Sequence, residues 1–176
     1  MKCTYIIGTT GAVLVLAATL LWYTRPMPLE QLCPGIDLSK CTEIKGKYVL
    51  PDLNTISISL TPEDPAFASL LAQFQDRIYR RSVRNLLPSS MKTHIGYLSK
   101  DTKWEVYLDF DTLTLPNGKE ASGTLIWFEN FFDSVDIHFA GQAIQQEIST
   151  TDEQQWLLDV QTLLIDTAIG RLVRNG

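Results

Sequence analysis

This sequence predicts an α+β fold: an N-terminal transmembrane helix followed by an antiparallel sheet packed against two main helices. Three observations predict it. From Tyr5 to Tyr23 the chain carries no charged side chain. Several later stretches alternate apolar and polar residues with a period of two, as half-buried strands do. Two further stretches, after Thr61 and after Thr150, open with helix-start residues and continue at helical spacing.

The 176 residues divide into a short tail (1–4), the anchor (5–23), a linker with a cysteine-pair loop (24–50) and an extracytoplasmic α+β domain (51–176). Without the anchor region about 145 residues remain, a size that buries roughly two-thirds of its unfolded surface. The net charge of -5 gives no basic surface for nucleic acid. No internal repeat or low-complexity tract is visible.

The apolar run Tyr5–Tyr23 has 19 residues, and as a helix it spans roughly 28 Å, close to a bilayer core. Tyr5 at one end and Trp22 and Tyr23 at the other suit the interfaces, and Lys2 and Arg25 bracket the run. A cleaved signal peptide needs a shorter apolar core and small residues before the cut. Here Ala17 and Ala18 lie inside the run and Leu20, Leu21, Trp22 and Tyr23 follow, which favours an uncleaved anchor. Flanking positive charges nearly balance: Lys2 and the amino terminus against Arg25 and Lys40.

Orientation therefore rests on Cys33 and Cys41, which flank Pro34-Gly35 just past the anchor. They read either as a disulfide loop formed in an oxidising compartment or as two unpaired buried thiols. The first reading places the domain outside the cytoplasm. The chain has no Asn-x-Ser/Thr sequon, which suits a bacterial periplasm. The expected location is thus the bacterial inner membrane, single-pass, with the C-terminal domain in the periplasm.

The domain begins with Ile56, Ile58 and Leu60 alternating with Ser57 and Ser59, a half-buried strand. Thr61-Pro62-Glu63-Asp64 starts a helix expected to run to Leu87, where Pro88 stops it. A short strand is expected at 94–98 and a longer one from Trp104 to Phe110. Pro116-Asn117-Gly118-Lys119 predicts a hairpin turn, because Asn-Gly accepts positive φ angles. Leu125–Phe128 is apolar on both faces and suits a central strand, and Val135–Phe139 alternates. Thr150, Thr151 and Glu153 form a capping-box start to a helix ending near Arg174.

No complete catalytic, cofactor or metal-binding set is present, and no enzymatic activity is expected. His94 and His138 are the only histidines, and no Gly-x-Ser-x-Gly elbow accompanies them. His138 beside Asp136 is a pH-sensing candidate. Asp109, Asp111, Glu129, Asp133 and Asp136 read as solvated strand charges that discourage edge pairing. Carboxylate-dependent hydrolysis by Asp109, Asp111 and Asp136 is the weakest reading. An aromatic-lined pocket with Trp104, Trp127 and Phe128 would make a small-ligand sensor, although such rings more often form core.

Two surfaces are candidates for a partner. Arg77, Arg80, Arg81 and Arg84 fall on one face of the expected first helix, suited to an acidic segment or anionic lipid. On the last helix Trp156, Val160, Leu163 and Leu164 cover one side, and Leu158, Ile165, Ile169 and Leu172 nearly the opposite side. A helix apolar over so wide an arc is either central in the domain or shared with a membrane partner or a second copy.

In layout the chain resembles the small single-pass periplasmic accessory proteins of membrane-bound transcription activators, the ToxS-like and PsaF-like (MyfF-like) proteins of enteric bacteria. The feature shared with the latter is the Cys33/Cys41 pair after the anchor. The resemblance implies an accessory protein that stabilises or signals to a single-pass regulator. A structural subunit of an envelope or secretion complex, or an immunity protein, has the same layout.

Overall fold

Period-two alternation decides which side of the sheet is covered. The structure is a computed structural model that describes residues 2–33, 35–49, 55–86, 104–114, 118–128, 134–139, 142–150 and 153–175. In chain order the elements are α1 (Lys2–Tyr23), α2 (Leu29–Leu32), β1 (Cys41–Val49), β2 (Thr55–Leu60), α3 (Pro65–Gln75), β3 (Tyr79–Arg81), β4 (Trp104–Thr114), β5 (Glu120–Phe128), β6 (Ser134–Phe139), β7 (Gln142–Thr150) and α4 (Glu153–Asn175). Short 3-10 turns occupy Leu38–Lys40 and Val83–Leu86.

Among the described residues the strands form one seven-stranded sheet in the order β2-β1-β4-β5-β6-β7-β3. Every neighbouring pair is antiparallel. The register aligns Leu60, Ile44, Leu108 and Leu125 across four strands. A second row holds Ile58, Gly46, Val106 and Trp127. All eight residues are buried. Helices α3 and α4 pack on each other, and α4 also packs on β2. The expected α+β class with an antiparallel sheet is therefore observed.

Gly46 fixes how closely α4 approaches. A Cβ there would lie 2.6 Å from the Leu164 side chain and 3.3 Å from that of Ile58. At the far end of the β4–β5 hairpin Gly118 has φ +77°, the left-handed conformation expected of the Asn-Gly turn.

The region expected to be a linker is part of the domain. β1 lies inside the sheet between β2 and β4. Leu29 and Leu32 of α2 are buried, and Met27 exchanges two backbone hydrogen bonds of 2.9 Å with Tyr79. The alternation of Ile44 and Gly46 with Glu43, Lys45 and Lys47 is the sequence signal of β1.

The first domain helix is also shorter than expected. It ends at Gln75 rather than Leu87, and β3 follows four residues later. Tyr79 explains the break. Its ring is fully buried, its hydroxyl donates to the Phe74 carbonyl at 3.0 Å, and its backbone pairs with Met27. That hydroxyl serves one of the carbonyls left unpaired at a helix C-terminus. The helix begins later too: Asp64 is the N-cap and Pro65 takes the first turn. The strand expected at 94–98 lies outside the described residues.

Four rings hold the layers together. Phe74 lies 4.7 Å from Trp127 and 5.6 Å from Trp156, and Tyr79 lies 6.0 Å from Trp156. The last two contacts are edge-on, a geometry favoured by the ring quadrupoles. Trp127 is thus core, not the wall of a ligand pocket.

Helix α1 has 22 residues, with described side chains from Gly11 onward. Among the described residues no helix is long and apolar enough to cross a membrane. The stretch Gly11–Tyr23 accounts for about 20 Å of helix.

These contacts rank three substitutions. Trp156→Ala should lower unfolding stability by about 3–5 kcal/mol, as large core truncations do. Gly46→Val should cost about 1–3 kcal/mol by overpacking α4. Tyr79→Phe, which removes one buried hydrogen bond, should cost about 1 kcal/mol. Urea denaturation of the three variants checks the order, and a Trp156→Ala protein as stable as the parent would contradict it.

Candidate functional site

The uncovered face of the sheet carries the alternate residues of the same strands. Here Lys45 bridges two carboxylates, Asp109 at 2.7 Å and Glu43 at 3.0 Å. The Ser59 hydroxyl donates to Glu43 at 2.5 Å, and the Thr124 hydroxyl to Asp109 at 2.6 Å. Lys47 lies 3.7 Å from Glu105, whose carboxylate also accepts from the Tyr107 hydroxyl. The Ser59 hydroxyl, and then Lys45, hold the Glu43 carboxyl below its usual range. Asp109, and then Glu43, raise the Lys45 ammonium. Asp109 therefore links three strands.

Asp111 is exposed and lies 3.5 Å from the Thr42 hydroxyl. His138 is half-buried and pairs in register with Thr124. Glu129, Asp133 and His94 lie outside the described residues, as does the side chain of Asp136. Among the described residues no group of three His, Cys, Asp or Glu is placed to hold a metal ion.

Cys33 and Cys41 are both free and buried, so the bridge expected from their spacing is not formed. Each cysteine sits in a different element. Cys33 closes α2, its N–H donating to the Leu29 carbonyl at 2.8 Å. Cys41 opens β1, and its thiol donates to the Glu43 carbonyl at 3.4 Å. Burial pushes both thiols up to about 12, against the charge of Arg81 at Cys33 and the backbone contacts at Cys41.

The four arginines do not share a helix face, because α3 ends before the first of them. Arg77 lies over the Trp156 ring at 5.4 Å and 3.9 Å from Asp159 of α4. Arg81 donates to the carbonyls of Gln31 and Leu32 at 3.4 and 3.3 Å, at the C-terminal end of α2. Its guanidinium also stacks on Tyr23 of α1 at 5.6 Å. These two fasten elements together. Arg80 and Arg84 point to solvent. Between them and beside them Ile78, Val83 and Leu86 are 48, 51 and 55 % exposed. A surface hollow of about 280 Å³ adjoins this segment, lined by Ala72, Gln73, Asp76, Arg77 and Ile78.

On α4 the candidate partner side is turned inward. Trp156 and Val160 are fully buried, Leu164 nearly so, and Leu163 packs against the core. These residues meet Phe74, Tyr79 and β1, which corrects their assignment to a partner. The opposite side is the free one: Leu158 and Ile169 are each 53 % exposed and Ile165 is half-buried between them. The side chain of Leu172 is outside the described residues.

The thiols give a signed prediction. A raised thiol pKa means the folded chain holds the proton more tightly than the unfolded one. Stability should therefore fall as pH rises from about 9 towards about 12. A Cys33→Ala/Cys41→Ala variant should show a shallower decline in its urea midpoint. At pH 8 the native protein should leave both cysteines unalkylated, and peptide mapping that found them modified before unfolding would contradict their burial.

Comparisons with protein-family models, with curated proteins and with solved structures find no match for this chain.

Proposed function

We propose that the chain is a membrane-anchored accessory protein whose folded domain binds a membrane partner. The observation that carries this reading is α1. It is a 22-residue helix, uncharged from Tyr5 to Tyr23, whose described apolar side chains have no place in the core. Val13, Leu14, Val15, Leu16, Leu21 and Trp22 are 60 to 73 % exposed. Water strongly disfavours such a surface, and a bilayer removes the cost. Trp22 at the end of the helix, with the Arg25 guanidinium 4.9 Å from its ring, suits the bilayer interface.

The outer line of α4 supports the partner half of the proposal. Leu158, Ile165 and Ile169 recur at i, i+7 and i+11, the spacing by which a helix presents one stripe to a neighbour. The layout likeness to accessory proteins of transcription activators motivates a single-pass regulator as that neighbour. Placement on the periplasmic side drew its main support from a bridged cysteine pair, and the free thiols withdraw that support.

Photo-crosslinking in cells tests the proposal. A crosslinking residue at Leu158 or Ile169 should capture one membrane protein in stoichiometric amount. The same residue at Ser57, on an exposed part of β2, should capture none. Lone monomer from every position, with the domain folded, would contradict a partner-binding role.

A further inference from the structure

We infer that the segment from Ile78 to Leu86 is a contact surface for anionic lipid headgroups, lying against the same bilayer that holds α1. The inference rests on the reading of α1 as an anchor. Residues 77–86 read RIYRRSVRNL, with four arginines and no acid, in a chain of net charge -5. Two of those arginines, Arg77 and Arg81, are engaged within the fold. The other two, Arg80 and Arg84, are exposed and alternate with exposed Ile78, Val83 and Leu86.

The position of this segment is set by two contacts with the anchor's end. Met27, four residues beyond Tyr23, is hydrogen-bonded in both directions to Tyr79 of β3. Arg81, on the same strand, stacks on the Tyr23 ring at 5.6 Å. With Trp22 and Tyr23 at the membrane interface, β3 and the turn after it lie at headgroup depth. Arg25 adds a third exposed guanidinium there.

The composition selects lipid over an acidic protein segment. Guanidinium groups bind phosphate oxygens in pairs, and aliphatic side chains interleaved with them enter the boundary between headgroups and acyl chains. A salt-bridging protein surface needs only the charges. The nearest exposed acid in sequence is Asp76, outside the Arg80–Arg84 span. The attraction acts within a Debye length of the membrane, so it is strong only for a surface held there by an anchor.

Amide hydrogen exchange on the full-length chain tests this. The chain is placed in nanodiscs of phosphatidylcholine alone, or of phosphatidylcholine mixed with phosphatidylglycerol. Exchange across 78–86 should slow several-fold in the anionic discs, with β4 unchanged. Added salt should reverse the slowing, and Arg80→Glu/Arg84→Glu should abolish it while leaving β4 protected. Equal exchange in the two lipids overturns the inference and leaves the anchor intact. Failure of the chain to enter discs at all overturns the anchor reading, and this inference with it. A protein adduct from a crosslinker at Arg84 in cells, without any lipid dependence, overturns it in favour of an acidic partner.

Discussion

The contact between Tyr79, Trp156 and Phe74 is what the other arrangements depend on. It brings together α3, β3 and α4, and through Phe74 it reaches Trp127 of β5. The Tyr79 hydroxyl ends α3 at the Phe74 carbonyl, and the Tyr79 backbone ties β3 to Met27. Large rings packed edge to face contribute more than their buried area alone. Four elements converge on them, so loss of one ring loosens both helices and the edge of the sheet together.

Two surface properties follow from this arrangement. Because Trp156, Val160 and Leu164 turn towards the rings and Gly46, the opposite stripe of α4 is left to solvent. Because the chain leaves α3 at Asp76 to bury Tyr79, the arginines are divided rather than stacked on a helix. Arg77 is held on α4 and Arg81 on α2 and Tyr23, while Arg80 and Arg84 remain outward. Through the Met27–Tyr79 backbone pair and the Arg81–Tyr23 stack, the end of α1 is fastened to β3 rather than joined to the domain by a free tether.

Much of the sheet was legible in the sequence, and the failures have physical causes. β2, β4 and β6 alternate cleanly, β5 ends in the apolar run Leu125–Phe128 that suits a central strand, and the Asn-Gly turn between β4 and β5 announces itself in Gly118. β1 carries the same alternation in Ile44 and Gly46, but a glycine stands where a large apolar residue is expected. Its reason, the close approach of Leu164, exists only in the packed structure. Helical periodicity hides β3: Phe67, Leu71, Phe74 and Ile78 stand at i, i+4, i+7 and i+11, the spacing of one helix face, yet Ile78 is outside and Tyr79 inside. The two sides of α4 were seen, but not which one faced the core, because that depends on ring contacts from other elements. Loop length likewise says how near Cys33 and Cys41 are along the chain, and not that each is fixed in a different element.

The measurement that tests the account most directly is alkaline carbonate extraction of membranes from cells making the full-length chain. The account predicts that the chain stays with the membrane pellet, and that Leu14→Arg, which places a charge among the exposed aliphatic residues of α1, shifts it towards the soluble fraction. Quantitative release of the unmodified chain with its domain folded would contradict an integral anchor, and would leave the apolar surface of α1 to be covered by protein instead.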